Sequence, residues 1–168
     1  MKIEENIGVV ASFELPEGWQ RDEPTEIGSR TTHVFHPAEG RELLFCHHLR
    51  EQHLSRPAAQ KFEQTLYAPF HNLSEGEIAD LSEVFEGLSN NNVFSISEAS
   101  TDYLNDRRIV RILGDWKGRN LTMLSCFVDR DGDGQKVQNL YFSAPQDQFR
   151  DTVEIADLIF RSIKWVTG

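Results

Sequence analysis

Five histidines, His33, His36, His47, His48 and His53, fall in one stretch of the chain, with Cys46 among them. Imidazole and thiolate are ordinary zinc ligands, so this cluster is the first candidate metal site. Strand geometry limits it. His47 and His48 are adjacent and point to opposite faces, and His33 and His36 differ in parity too, so only part of the set could meet one ion. The favoured reading is a half-exposed hairpin whose imidazoles could make a partner contact sensitive to mild acid. Cys46 with His47 or His48 has the residue types of a thiol nucleophile and its base. Neighbours in a strand face apart, however, and Cys46 with His48 has no third residue to orient the ring.

A second candidate is Asp129-Arg130-Asp131-Gly132-Asp133-Gly134, which fits the first half of a calcium loop. There Asp129, Asp131 and Asp133 would supply alternate carboxylates to a hard cation. The position that should carry the bidentate glutamate is Leu140, which belongs to the next strand. An Asp-Gly-rich hairpin tip is the favoured reading, with weak calcium binding as the alternative. No GxSxG, P-loop, GxGxxG or HExxH motif occurs, so the expectation is a protein that is not an enzyme and has no cofactor, zinc or calcium being the alternative.

The third set is aromatic. Tyr67, Phe70 and Phe85 sit on two consecutive helical segments, and a helical pair rarely buries every ring it carries. These three are the candidate partner-binding residues, against the reading that they seal the sheet.

The elements that must position these groups follow from periodicity. Residues 9–15 alternate as a strand and break at Pro16-Glu17-Gly18. Residues 31–36 and 41–50 read as a hairpin across Pro37-Ala38-Glu39-Gly40. Ser55 caps a helix with Pro57 in its first turn, and Phe62, Leu66 and Phe70 give that helix an apolar face. Ser74 with Glu77 opens a second helix as a capping box, its stripe being Ile78, Leu81, Phe85 and Leu88. Residues 93–99 return to strand alternation. From Arg107 three β-rich runs follow, separated by Lys117-Gly118-Arg119-Asn120 and by the Asp-Gly cluster, which makes a four-strand antiparallel meander. A last helix over residues 151–163 precedes Trp165, expected to pack on the sheet.

Strands that run antiparallel with helices in separate blocks define the α+β class. The expected architecture is a six- or seven-stranded antiparallel sheet with helices on both faces. The 168 residues suit a single domain, 1–168, able to bury a core without disulfides or metals. Cys46 and Cys126 are far apart, in apolar runs, and read as free buried thiols of a reducing compartment. The net charge of −10 disfavours nucleic acid as a partner. No apolar run is long enough to span a bilayer and no leader pattern opens the chain, so a cytoplasmic protein without membrane insertion is expected.

Phe13, Leu15, Pro16, Gly18 and Trp19 form F-x-L-P-x-G-W, and the end of the chain carries LYFSAP, Phe149 and IFRSIKW. In these residues and in the order of its elements the chain resembles the PsbP-like superfamily. That α/β/α sandwich group includes the photosystem II extrinsic protein, the yeast factor that releases nucleotide from the Ran GTPase, and the DcrB group with its Eag-type secretion-effector chaperones. The resemblance implies a non-catalytic accessory, adaptor or chaperone-like protein that binds another protein, such as a secreted effector or a subunit of a membrane complex. It carries over no catalytic residue, and no motif matches a Ran-binding role. The alternatives are a metal- or small-molecule-binding domain, or a photosystem II-associated accessory protein if a leader has been removed.

Overall fold

The computed structural model describes residues 1–167. The chain opens with a hairpin of β1 (Lys2–Ile7) and β2 (Val10–Glu14). Gly8, at its turn, has φ +58°, and a Cβ there would lie 2.1 Å from Gln138 Oε1, so only glycine fits. Four strands follow: β3 (Trp19–Arg21), β4 (Thr25–Ile27), β5 (Arg30–Pro37) and β6 (Leu44–Arg50). Then come α1 (Arg56–Tyr67), α2 (Glu75–Asp80) and α3 (Ser82–Phe85), ending in a 3-10 turn at Glu86–Ser89. The meander is β7 (Phe94–Leu104), β8 (Arg107–Trp116), β9 (Leu121–Asp129) and β10 (Val137–Pro145). The chain finishes with α4 (Phe149–Ser162) and β11 (Lys164–Trp165).

The α+β class stands, with every strand pair antiparallel. The main sheet runs β3-β5-β6-β10-β9-β8-β7, with β4 also paired to β5, and a smaller sheet runs β1-β2-β11. The expected six or seven strands are therefore corrected to eight, because two three-residue strands both dock on β5. The small sheet is a further departure: β1 reads KIEENI, too charged to be recognised as a strand until β2 pairs with it. The second helix is also broken where one continuous helix was expected. Glu86 takes φ 52°, a left-handed value costly for a residue with a Cβ, and its carboxylate is held by Arg30 and Arg50.

Helices cover both faces of the main sheet. Phe62, Leu66 and Phe85 of α1 and α3 pack against Ile112 and Phe127 on one side. On the other, Ile159 and Phe160 of α4 and Phe13 of β2 pack against Phe35, Phe45 and Phe142. Each such fully buried ring contributes about 2–3 kcal/mol by removal from water. Gln138 joins the two sheets, its side chain accepting from Val9 N at 2.9 Å and donating to the Ile7 carbonyl at 3.0 Å.

The helix starts follow their sequence cues. Ser55 Oγ accepts from Ala58 N, and Ser74 and Glu77 form the reciprocal capping box, both bonds 3.1 Å. Between β7 and β8 the turn residues Asn105 and Asp106 have φ 51° and 70°, the two-residue primed turn that matches strand twist.

Candidate protein-binding patch

The histidines divide as parity requires. His33 pairs with His47 and Thr32 with His48 across β5 and β6, so His33 and His47 share the face toward the small sheet. His36 and His48 lie on the other. His47 is buried and meets the Gln138 amide, which donates to its Nε2 and leaves the ring proton on Nδ1. Burial, with the neighbouring charges of His33, His48 and Arg21, pushes its pKa down to about 3. His48 bonds Thr32 Oγ1 at 2.9 Å, stacks on Tyr141 and is pushed down to about 4, again chiefly by burial. His36 is tied to Pro37 O and to Asp22 Oδ1, which raise its pKa.

The aspartates do not converge either. Asp129 is buried and accepts from Gly132 N at 3.2 Å and Gly134 N at 2.9 Å, so it closes the turn. Asp131 and Asp133 are exposed, and Asp133 accepts from Gln135 N. Among the described residues no three His, Cys, Asp or Glu side chains stand where they could hold a metal ion. Asp129, Asp133, His33, His36, His47 and His48 thus each have other partners, and Asp131 is exposed at the hairpin tip. The thiols are quiet as well: burial pushes Cys46 up to about 11 and Cys126 up to about 12, far from the thiolate a nucleophile needs.

Of the three candidate aromatics, Phe85 is corrected. It is 2% exposed and meets Phe127 edge-on at 5.1 Å, because α3 packs on the sheet and the Phe85 ring joins the core with Phe62 and Leu66. Tyr67 and Phe70 are exposed, at 54% and 43%. They are joined by a third ring, Tyr103, 53% exposed and 4.7 Å from Phe70 in an edge-on contact.

The β7–β8 register brings the rest. Tyr103 stands opposite Arg108, whose guanidinium lies 4.6 Å from the Phe70 centroid and 5.5 Å from that of Tyr103. Arg108 also donates to the carbonyls of Leu66 and Ala68 at the end of α1, both at 2.9 Å. Beside it Arg107 lies over Trp165, whose Nε1 donates to Leu104 O at 2.9 Å. Asn105 Nδ2 reaches the Phe160 and Ile163 carbonyls at 3.1 and 2.7 Å, fixing the hairpin tip to the end of α4. A shallow cavity of about 440 Å³ opens between Tyr67, Tyr103, Arg107, Arg108 and Trp165, with Asp129 in its lining.

Tyr, Trp and Arg are the residue types that carry binding energy at protein interfaces, because they combine large apolar area with a polar or charged handle. Here the arginines are already stacked and hydrogen-bonded, so little side-chain freedom is left to lose on binding. Tyr103, Arg107, Arg108 and Trp165 were not identified as site residues from sequence. The one available cue was the Asn105-Asp106 turn, which fixes the Tyr103–Arg108 pairing.

No family model and no curated protein matches the chain. Among solved structures it is similar to LpqN, involved in cell envelope biogenesis of Mycobacterium tuberculosis. The two are 11% identical over 99% of this chain and 90% of LpqN, with a TM-score of 0.51. It is also similar to the type VI secretion immunity protein TplEi of Pseudomonas aeruginosa, solved with the "L" peptide: 11% identity, 89% of this chain, 59% of that chain, TM-score 0.41. The first likeness is one of fold.

Proposed function

We propose that this protein is a non-catalytic, protein-binding accessory of the PsbP-like group, adaptor- or chaperone-like in its action. It engages its partner through the patch of Tyr67, Phe70, Tyr103, Arg107, Arg108 and Trp165. The observation that carries the proposal is the exposure of three aromatic rings around an arginine that is itself immobilised by two helix-end carbonyls. A ring exposed by chance has no such support beneath it, whereas a binding surface benefits from being set before the partner arrives. The fold likeness to LpqN, together with the F-x-L-P-x-G-W opening, supports the superfamily assignment. Among the described residues no helix is long and apolar enough to cross a membrane.

The test is site-specific photo-crosslinking in the source cell. A photoreactive phenylalanine analogue at position 67 or 103 is expected to trap the same partner band. The same analogue at Ile27, exposed on β4 away from the patch, is expected not to. Identical products from all three positions, or none from 67 and 103, would contradict the assignment.

A further inference from the structure

β7 is an edge strand of the main sheet, and a groove of about 920 Å³ lies along it. Part of the edge is already covered from within the chain. Thr101 N donates to His71 O at 3.0 Å, Leu73 N donates to Ala99 O at 2.8 Å, and Asn72 bridges Ser100 in the antiparallel sense. Residues 71–73 thus act as a short added strand over Ala99–Thr101 and stop there.

Beyond them the edge continues. The two-residue turn makes Leu104 and Arg107 a hydrogen-bonded pair, so alternate residues of β7 turn their backbone groups away from β8. Thr101 and Ala99 do so, as their bonds to residues 71 and 73 demonstrate. The register then skips Ser97, whose Oγ donates to Leu113 O at 3.0 Å, and the parity resets. The backbone N–H of Phe94 turns away from β8 again and donates to Asn90 O, while its ring stays in the core. Between the two, the N–H and C=O of Ile96 face the groove. Its floor is apolar, with Leu73, Ile78, Leu88 and Ile96, and its rim carries the exposed carboxylates Glu75 and Glu98. Lys117, at one end, is engaged with the Asn91 carbonyl at 2.5 Å.

We propose that this groove takes a short extended segment of a partner protein, paired to β7 at Ile96 in line with residues 71–73. The segment alternates apolar side chains for the floor with basic ones for Glu75 and Glu98. Backbone pairing supplies affinity in such strand addition and the alternate pockets supply selectivity. Charge decides between occupants. A second copy of this chain, itself at −10, would set two Glu75 and two Glu98 along one seam, whereas a basic segment neutralises them. The site is separate from the aromatic patch, and a Tyr103→Asp variant is expected to retain it.

The probe is a displayed library of roughly eight-residue segments, with Val, Ile or Leu alternating with Lys or Arg, selected on the full chain. The expected result is enrichment of a sequence family whose synthetic peptide slows exchange of the Ile96 amide. The same peptide N-methylated along its pairing edge should bind roughly tenfold more weakly, since two backbone hydrogen bonds are lost. Glu75→Lys with Glu98→Lys should weaken it by a similar factor while leaving the amide spectrum outside the groove unchanged. No enrichment, protection at another site, or undiminished binding of the N-methylated peptide would overturn the proposal.

Discussion

The Arg108 guanidinium stands 4.6 Å from the centre of the Phe70 ring while donating to the two carbonyls that end α1. One side chain therefore closes a helix and supports an exposed aromatic. Arg108→Ala is expected to cost about 2 kcal/mol in urea unfolding, the scale of charge-assisted hydrogen bonds. Arg108→Lys should recover only part of this, because an ammonium cannot stack flat on the ring. Equal stability of all three proteins would show that the guanidinium holds nothing.

Asn105 combines a left-handed backbone with a side chain tied to the end of α4. Asn105→Gly keeps the turn and loses the tie, and should cost about 1 kcal/mol. Asn105→Ala loses both and should cost about 1–2 kcal/mol more. Thermal unfolding of the pair separates the two contributions, and the reverse order would contradict the turn assignment.

Phe85 and Tyr67 are both aromatic and lie on neighbouring helices, yet only one belongs to the core. Phe85→Ala should destabilise by about 3–5 kcal/mol, the usual cost of emptying a buried aromatic site. Tyr67→Ala should stay within about 0.5 kcal/mol, as exposed substitutions do. Denaturant midpoints of the two variants decide it.

The buried imidazoles set the acid response. His47 and His48 have folded pKa values of about 3 and about 4 against 6.5, so their neutral forms favour folding. That stability is fully present above pH 6.5 and falls as the pH drops toward 4 and 3. Between pH 7 and pH 5 each residue should cost about 2 kcal/mol by linkage. His36 and His71 have raised values, through Pro37 and Asp22 and through Glu77 and Pro69 respectively. Their contribution has the opposite sign, present below pH 6.5 and lost as the pH rises through the folded values. A His48→Gln variant should show a shallower loss of stability from pH 7 to pH 5 than the natural chain, and an identical slope would refute the role given to His48.

What could be read from the chain follows what is local. The meander was legible because Lys117–Asn120 and the Asp-Gly cluster are turns by composition, and the runs between them alternate. The capping box at Ser74 and Glu77 was legible for the same reason. β1 was not, since its charged sequence becomes a strand only against β2, and β3 and β4 are too short to show a period. At the patch, Phe70 was visible at the end of the Phe62 and Leu66 stripe, although α1 stops at Tyr67 and leaves Phe70 beyond it. Tyr103, Arg107 and Arg108 lie on a distant hairpin, and only the docking of α1 on β8 brings them there. Phe85 was misplaced because its burial depends on a long-range contact, α3 against Phe127 of β9, that the local stripe does not reveal.

The central claim is that a protein partner is held by the exposed rings around Arg108. The direct measurement is calorimetric titration of the partner recovered by crosslinking against Phe70→Ala and Tyr103→Ala, with Ile27→Ala as control. Each patch variant is expected to weaken binding by about 2 kcal/mol, roughly thirtyfold, as central aromatic anchors do, and the control to leave it unchanged. Unaltered affinity in both patch variants, with their folds intact, would contradict the account.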